Sequence, residues 1–241
     1  MSTIFRKIFA CFSLLCHGRL FVLCQAISAA FIPARFFGLN KQIFYKLQHD
    51  NKPLVQNLDE INIAAGNEST VVEIVNDLYL GDPAMLKLFE NFYQNGIEPY
   101  VAKSGEKVVG SIWLCTGTYL ANWGSYDSWL LQIGIEPTAK FVANVFVDPT
   151  WRGKRIFPAI VDFCTSTYRD SEFYSCVEEL NIVSVRVHER IGFRECAIAY
   201  YIRFGQKTYC IFTTKSEKGN WKRKYLKLSR GLAANISLVE Q

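Results

Sequence analysis

The chain has 241 residues, half of them apolar, with 27 basic against 22 acidic residues and a net charge of +5. That length and apolar content suit one globular domain of ~100–200 residues with appendages. So small an excess of positive charge admits an anionic ligand or an anionic surface, without calling for nucleic acid. Eight cysteines stand singly, with no CxxC pair and no His/Cys group at zinc spacing. They read as reduced, buried thiols of a cytoplasmic protein, and no metal is expected.

In chain order, residues 1–49 carry Arg6, Lys7, Arg19, Arg35, Lys41 and Lys46 and no acid. The apolar stretches between them are interrupted by His17-Gly18-Arg19 and Pro33, so they are too short to cross a bilayer. Phe5, Ile8, Phe9, Phe12 and Leu15 follow helical spacing. The expectation is an amphipathic arm that contacts an inner membrane surface peripherally or docks on its own domain. Residues 50–68 read as a polar linker. The run STVVEIVNDLYL that follows reads as β-rich, and Asp82-Pro83 opens a helix that ends at Gly96. PYVAKSGEKVVGSIWLC reads as a hairpin about Ser104-Gly105, and residues 120–138 as a long aromatic connection.

KFVANVFV is apolar on both pleat faces, as a central buried strand would be. A helix with Ile156, Ala159, Ile160, Phe163 and Cys164 at helical spacing follows it. FYSCV is a short strand, Asn181 caps a further helix that Gly192 ends, and residues 197–212 form a closing hairpin about Gly205. The tail from Lys215 to Arg230 carries seven cations against one acid and is expected to lie exposed. Hairpins mixed with strand–helix–strand units imply an α+β fold around one mixed sheet with helices on both faces.

The segment NVFVDPTWRGKRIFPAI concentrates the chemistry. The strand stops at Pro149, which cannot donate to a ladder. A turn bearing Arg152, Lys154 and Arg155 then enters a helix. The converging N–H groups and the helix dipole make an anion cradle there.

Val147-Asp148-Pro149-x-x-Arg152-Gly153-Lys154, followed downstream by Asn181-x-x-Ser184-x-x-x-His188-Glu189-Arg190-x-Gly192-Phe193, resembles the GNAT superfamily of N-acyltransferases over roughly residues 69–213, within an expected domain of 69–215. The resemblance implies acetyl-CoA or another acyl-CoA as co-substrate, with Phe146 and Val147 offering backbone hydrogen bonds to its pantetheine arm. It implies that Arg152, Gly153, Lys154, Arg155, Ile156 and Phe157 hold the pyrophosphate and that Asn181 and Ser184 lie near the distal arm. Arg155 and Phe157 depart from the family pattern, standing where small residues are usual. His188 stands where many relatives carry Tyr and is the candidate proton donor to the leaving thiolate. Glu178 and Glu179 are the nearest acids for the opposite role. Asn144 sits where some relatives carry Asp.

The expected activity is transfer of an acyl group to a primary amine of a small molecule, such as an amino sugar or a lipid-linked precursor. The alternative is a degenerate domain of this family that only binds CoA or acts as a scaffold. No zinc, RNP-like or helix-turn-helix pattern accompanies the basic tail, which leaves nucleic-acid binding without support.

Overall fold

A computed structural model describes residues 37–48, 58, 60–122, 130–204, 207–215, 221–228 and 234–238. Among these residues twelve strands run in chain order: β1 (Phe37–Leu47), β2 (Asn62–Ala65), β3 (Glu98–Ser104), β4 (Lys107–Thr116), β5 (Thr118–Asn122), β6 (Leu130–Gly134), β7 (Lys140–Val147), β8 (Phe173–Glu178), β9 (Phe193–Phe204), β10 (Lys207–Lys215), β11 (Trp221–Leu228) and β12 (Ala234–Ser237). Four helices interrupt them: α1 (Glu68–Tyr79), α2 (Pro83–Gln94), α3 (Ile156–Thr167) and α4 (Ile182–Arg190). Nine strands form one sheet in the order β11-β10-β9-β1-β8-β7-β4-β3-β2, and β12-β6-β5 form a small second sheet. Within the large sheet only β7 and β8 run parallel.

Alternation along the strands sends side chains to two cores, one on each face of the sheet. On one face Val71, Ile74, Val75 and Leu78 of α1 and Phe89 of α2 pack on Val108, Trp113, Phe141 and Ala143. Phe89 stacks on Trp113 with ring centroids 4.8 Å apart. On the other face Ile156, Phe157, Ile160, Val161 and Cys164 of α3 pack on Val109, Ile112, Leu114 and Val142, with Tyr45, Phe173, Val177 and Phe193 beside them. Helices thus cover both faces, as the mixed strand and helix pattern implies.

Five readings of the sequence are corrected. STVVEIVNDLYL is not a strand but the body of α1. Its buried residues 71, 74, 75 and 78 follow helical spacing, and the side chains of Asn67 and Thr70 close a capping box at its start. β-branched composition gave a false strand signal that the spacing overrides.

Residues 37–47, placed within the N-terminal arm, are β1, inserted between β8 and β9 in the middle of the sheet. Ile43, Phe44, Tyr45 and Leu47 are core residues, so the lysines of this stretch decorate a strand. Lys41 pairs with Glu179 at 2.7 Å. Residues 1–36, and with them the rest of the arm, lie outside the described residues.

The end of the expected linker contributes β2, and the long connection after β4 contributes β5 and β6. The basic tail is in part the edge strand β11, paired with β10 over eight positions and mostly exposed. Among the described residues no helix is long and apolar enough to cross a membrane.

Candidate active site

The candidate site is a gap in the large sheet. Parallel pairing of β7 with β8 covers Lys140–Phe173, Phe141–Tyr174 and Val142–Ser175, and stops there. β8 continues against β1, while β7 continues against β4. Among the described residues, the outer edge of β7 from Ala143 to Val147 therefore has no neighbouring strand. The parting coincides with a bulge: Ile112 pairs with Val145 and Trp113 with Ala143, which leaves Asn144 unpaired at φ 34°. Asn is among the few side chains that tolerate a left-handed backbone, and the extra residue bends the strand away from its neighbour. The Tyr79 hydroxyl at the end of α1 donates to Asn144 Oδ1 at 3.2 Å.

Both strands feed helices at the open end of this gap. β7 leads through a short 3-10 turn (Pro149–Trp151) into α3, and β8 leads into α4. The turn is anchored by Asp148. Its Oδ1 accepts from the Thr150 N–H and hydroxyl, and its Oδ2 accepts from Lys107 Nζ at 3.1 Å. These bonds, from Thr150 first and Lys107 second, hold its carboxyl down to about 2.

Arg152, Gly153, Lys154 and Arg155 are all exposed on the turn. The Arg152 guanidinium donates to the Val147 carbonyl at 3.3 Å and lies over the Phe146 ring, and Lys154 Nζ sits 4.0 Å above the Trp151 ring. Gly153 takes φ 82° with open space where a side chain would stand. Arg155, the N-cap of α3, is held at φ 62° and makes no side-chain cap.

The first-turn N–H groups of Ile156 and Phe157 have no carbonyl four residues back within the helix, and Pro158 has no N–H at all. Exposed cations, an open glycine and uncapped helical N–H groups fit a pyrophosphate. The side chains of Ile156 and Phe157 do not join them. Both are buried, and Ile156 packs so closely on Gly110 that a Cβ there would lie 2.6 Å from Ile156 Cγ2. Only their backbone can serve the anion, so Phe157 in place of a small residue leaves the cradle open.

Asn181 lies three residues beyond β8, where its Oδ1 accepts the Ser184 N–H at 3.2 Å. It is exposed at the mouth of the gap and doubles as the cap of α4. Ser184 is engaged twice through its backbone, by that cap and by His188. Glu179 pairs with Lys41, and Glu178 ends β8 exposed, on the pleat face of Tyr174 and Cys176.

His188 is the main correction. It does not line the gap as an acid. It is 3% exposed, enclosed by the rings of Tyr45, Phe157 and Phe193 at 5.0–5.7 Å. Its Nδ1 lies 2.8 Å from the Ser184 carbonyl and its Nε2 lies 3.1 Å from Ser175 Oγ. A carbonyl only accepts, which assigns the ring proton to Nδ1 and makes Nε2 the acceptor of the Ser175 hydroxyl. Burial holds its pKa down at about 4, so at neutral pH the ring has no spare proton. The spacing of Asn181 and His188 put them on one helical face. That face turns toward the sheet, and only its first turn reaches the gap.

Tyr79 and the bulge at Asn144 are the parts that sequence reading missed. The one signal was a polar residue inside an otherwise apolar strand.

The model of the Acetyltransferase (GNAT) family matches residues 70–193, more than half of the chain. The chain belongs to this family of acetyltransferases. A search of curated proteins found no match. Among solved structures, a conserved protein of unknown function from Staphylococcus epidermidis is similar with TM-score 0.53 at 14% identity, over 75% of this chain and 66% of that one. A GNAT-family acetyltransferase from Colwellia psychrerythraea aligns with TM-score 0.46 at 14% identity, over 69% and 55%. AAC(6')-Iy, in complex with the bisubstrate analog CoA-S-monomethyl-acetylneamine, aligns with TM-score 0.39 at 19% identity, over 56% and 91%. The chain thus spans two thirds or less of the first two structures. At these identities the likeness is one of fold.

Proposed function

We propose that this protein transfers an acetyl group, or another acyl group, from acyl-CoA to a primary amine of a small molecule. The observation that carries this reading is the parting of β7 from β8 after Val142–Ser175, with the N-termini of α3 and α4 at its open end.

Each residue of the gap has a task under this reading. The N–H groups that open α3, with Arg152, Lys154 and Arg155, bind the pyrophosphate. The free edge of β7 through Phe146 and Val147 hydrogen-bonds the amides of the pantetheine arm, as a strand would. When bound, acyl-CoA supplies a thioester whose carbonyl carbon is open to an amine. A backbone N–H beside the bulge polarises that carbonyl, aimed where negative charge develops. Glu178, exposed at the end of β8, takes the amine proton through water. His188 stays neutral and holds α4 against β8, and the proton for the leaving thiol comes from solvent.

The test is thiol release from acetyl-CoA with a panel of amines: amino sugars, polyamines and lysine-containing peptides. Release that depends on a small amine supports the reading. Release with peptides alone moves the acceptor class to proteins. Tight acetyl-CoA binding without release by any amine identifies a binding module.

A further inference from the structure

The hydroxyl of Tyr79 invites a question that its ring does not. The ring is already packed, 5.3 Å from the Phe89 centroid and 4.8 Å from that of Phe146. Phenylalanine would make the same contacts. What the hydroxyl adds is the 3.2 Å bond to Asn144 Oδ1. That bond links the last residue of α1 to a strand residue 65 positions away.

Asn144 occupies a distinctive place. Of the three non-glycine residues with positive φ among those described, it is the one inside a strand. It follows by two residues the last β7–β8 pair, and it is the extra residue that the β4 register skips. A left-handed residue in mid-strand persists only where its surroundings over-determine it. Packing alone does not do so here, since Asn144 is half-buried and its neighbour Val145 is exposed. The Tyr79 bond is the polar contact that holds the side chain on the α1 side of the strand.

We propose that Tyr79 is a positioning residue. Its hydroxyl latches the Asn144 bulge and so aims the free backbone edge of β7, where the acyl carbonyl is polarised. This inference rests on the acyl-CoA reading above. The latch ties an element outside the gap to the one residue whose backbone turns the strand. Among the described residues the Tyr79 ring meets Phe89 and Phe146 and its hydroxyl meets Asn144, so a change that keeps the ring and removes the hydroxyl leaves the hold on the phosphates intact and disturbs only the acyl end.

The probe is acetyl-CoA carrying 13C at the acetyl carbonyl, added to the full chain without an acceptor amine. In the wild type the bound carbonyl resonance moves downfield of the free one, as polarisation requires. In Tyr79→Phe the displacement falls by more than about half, while the acetyl-CoA dissociation constant stays within about twofold. Adding Asn144→Gly to Tyr79→Phe restores most of the displacement, because glycine takes the left-handed backbone without a latch.

An unchanged displacement in Tyr79→Phe overturns the inference, as does a loss of displacement and of binding together, which would mark general damage to the site. Wild-type binding with no displacement overturns it while leaving the acyl-CoA reading standing. Failure of the wild type to bind acetyl-CoA overturns that reading and removes this inference with it.

Discussion

Ser175 is both the last residue of β8 paired with β7 and the hydroxyl that His188 accepts, at 3.1 Å from its Nε2. One residue thus marks where the sheet divides and ties α4 to that point. The imidazole completes the tie by donating to the Ser184 carbonyl, which accounts for a buried histidine with both nitrogens satisfied.

This pairing predicts an acid-sensitive stability. The folded pKa of about 4 lies below the ordinary 6.5, so between those values the unfolded chain binds more protons than the folded one. Stability is therefore lost as pH falls from about 6.5 to 4, by roughly 3 kcal/mol from this residue, and no further below that. Denaturant titrations across this window, compared with His188→Gln, isolate the contribution. The variant starts less stable and shows a shallower decline. Parallel declines would mean that His188 is not buried neutral.

Arg155 predicts an exchange of stability against binding. It is exposed and held left-handed at φ 62°, which costs an L-residue about 1 kcal/mol that glycine avoids. Arg155→Gly should raise the thermal midpoint by about 2–4 °C. It should weaken acetyl-CoA binding about tenfold through the lost phosphate contact. Arg152→Ala should weaken binding in the same direction with little change in stability. Calorimetry on the three proteins checks both quantities, and an unchanged binding constant in both variants would take the cations out of the cradle.

Gly110 predicts a coupled pair. A Cβ there would lie 2.6 Å from Ile156 Cγ2 and push the start of α3, so Gly110→Ala should cost about 1–3 kcal/mol. Ile156→Ala opens the space that the new methyl needs. The double variant should be less destabilised than the sum of the singles by at least ~1 kcal/mol. Additivity in chemical denaturation would show that α3 shifts freely.

Much of the fold was legible because its signals are local. Asp82-Pro83, Gly96, Asn181 and Gly192 are caps whose chemistry acts within one turn. KFVANVFV is apolar on both faces because helices cover both. The cation turn was legible for the same reason, since strand stop, glycine and helix start lie within about ten residues. What failed depended on distant partners. Nothing in FGLNKQIFYKL says that it pairs with residues 193–204, which follow it by more than a hundred positions, and its lysines resembled those of the arm before it. The bulge is invisible because register belongs to two strands at once. His188 was misplaced because its helical face was read correctly, but what that face meets is set by Tyr45 and Phe193 on other strands.

β1 predicts the outcome of truncation. A chain starting at residue 50 lacks Ile43, Phe44, Tyr45 and Leu47, and with them the strand between β8 and β9. Phe44 and Tyr45 are both fully buried, and a change of the Phe44 kind to alanine typically costs about 3–5 kcal/mol. The truncated chain should lose its cooperative thermal transition by circular dichroism. A folded product would mean that β9 closes directly onto β8.

The most direct test of the proposed activity is a titration of the full, isotopically labelled chain with acetyl-CoA, followed through its backbone amide resonances. Saturable, micromolar binding is expected, with the largest shifts at Phe146 and Val147 on the free edge of β7, at Gly153 through Phe157 around the start of α3, and at Asn181. No saturation up to millimolar acetyl-CoA, or shifts confined to residues away from the gap such as those of α2, would contradict the assignment of this gap as an acyl-CoA site.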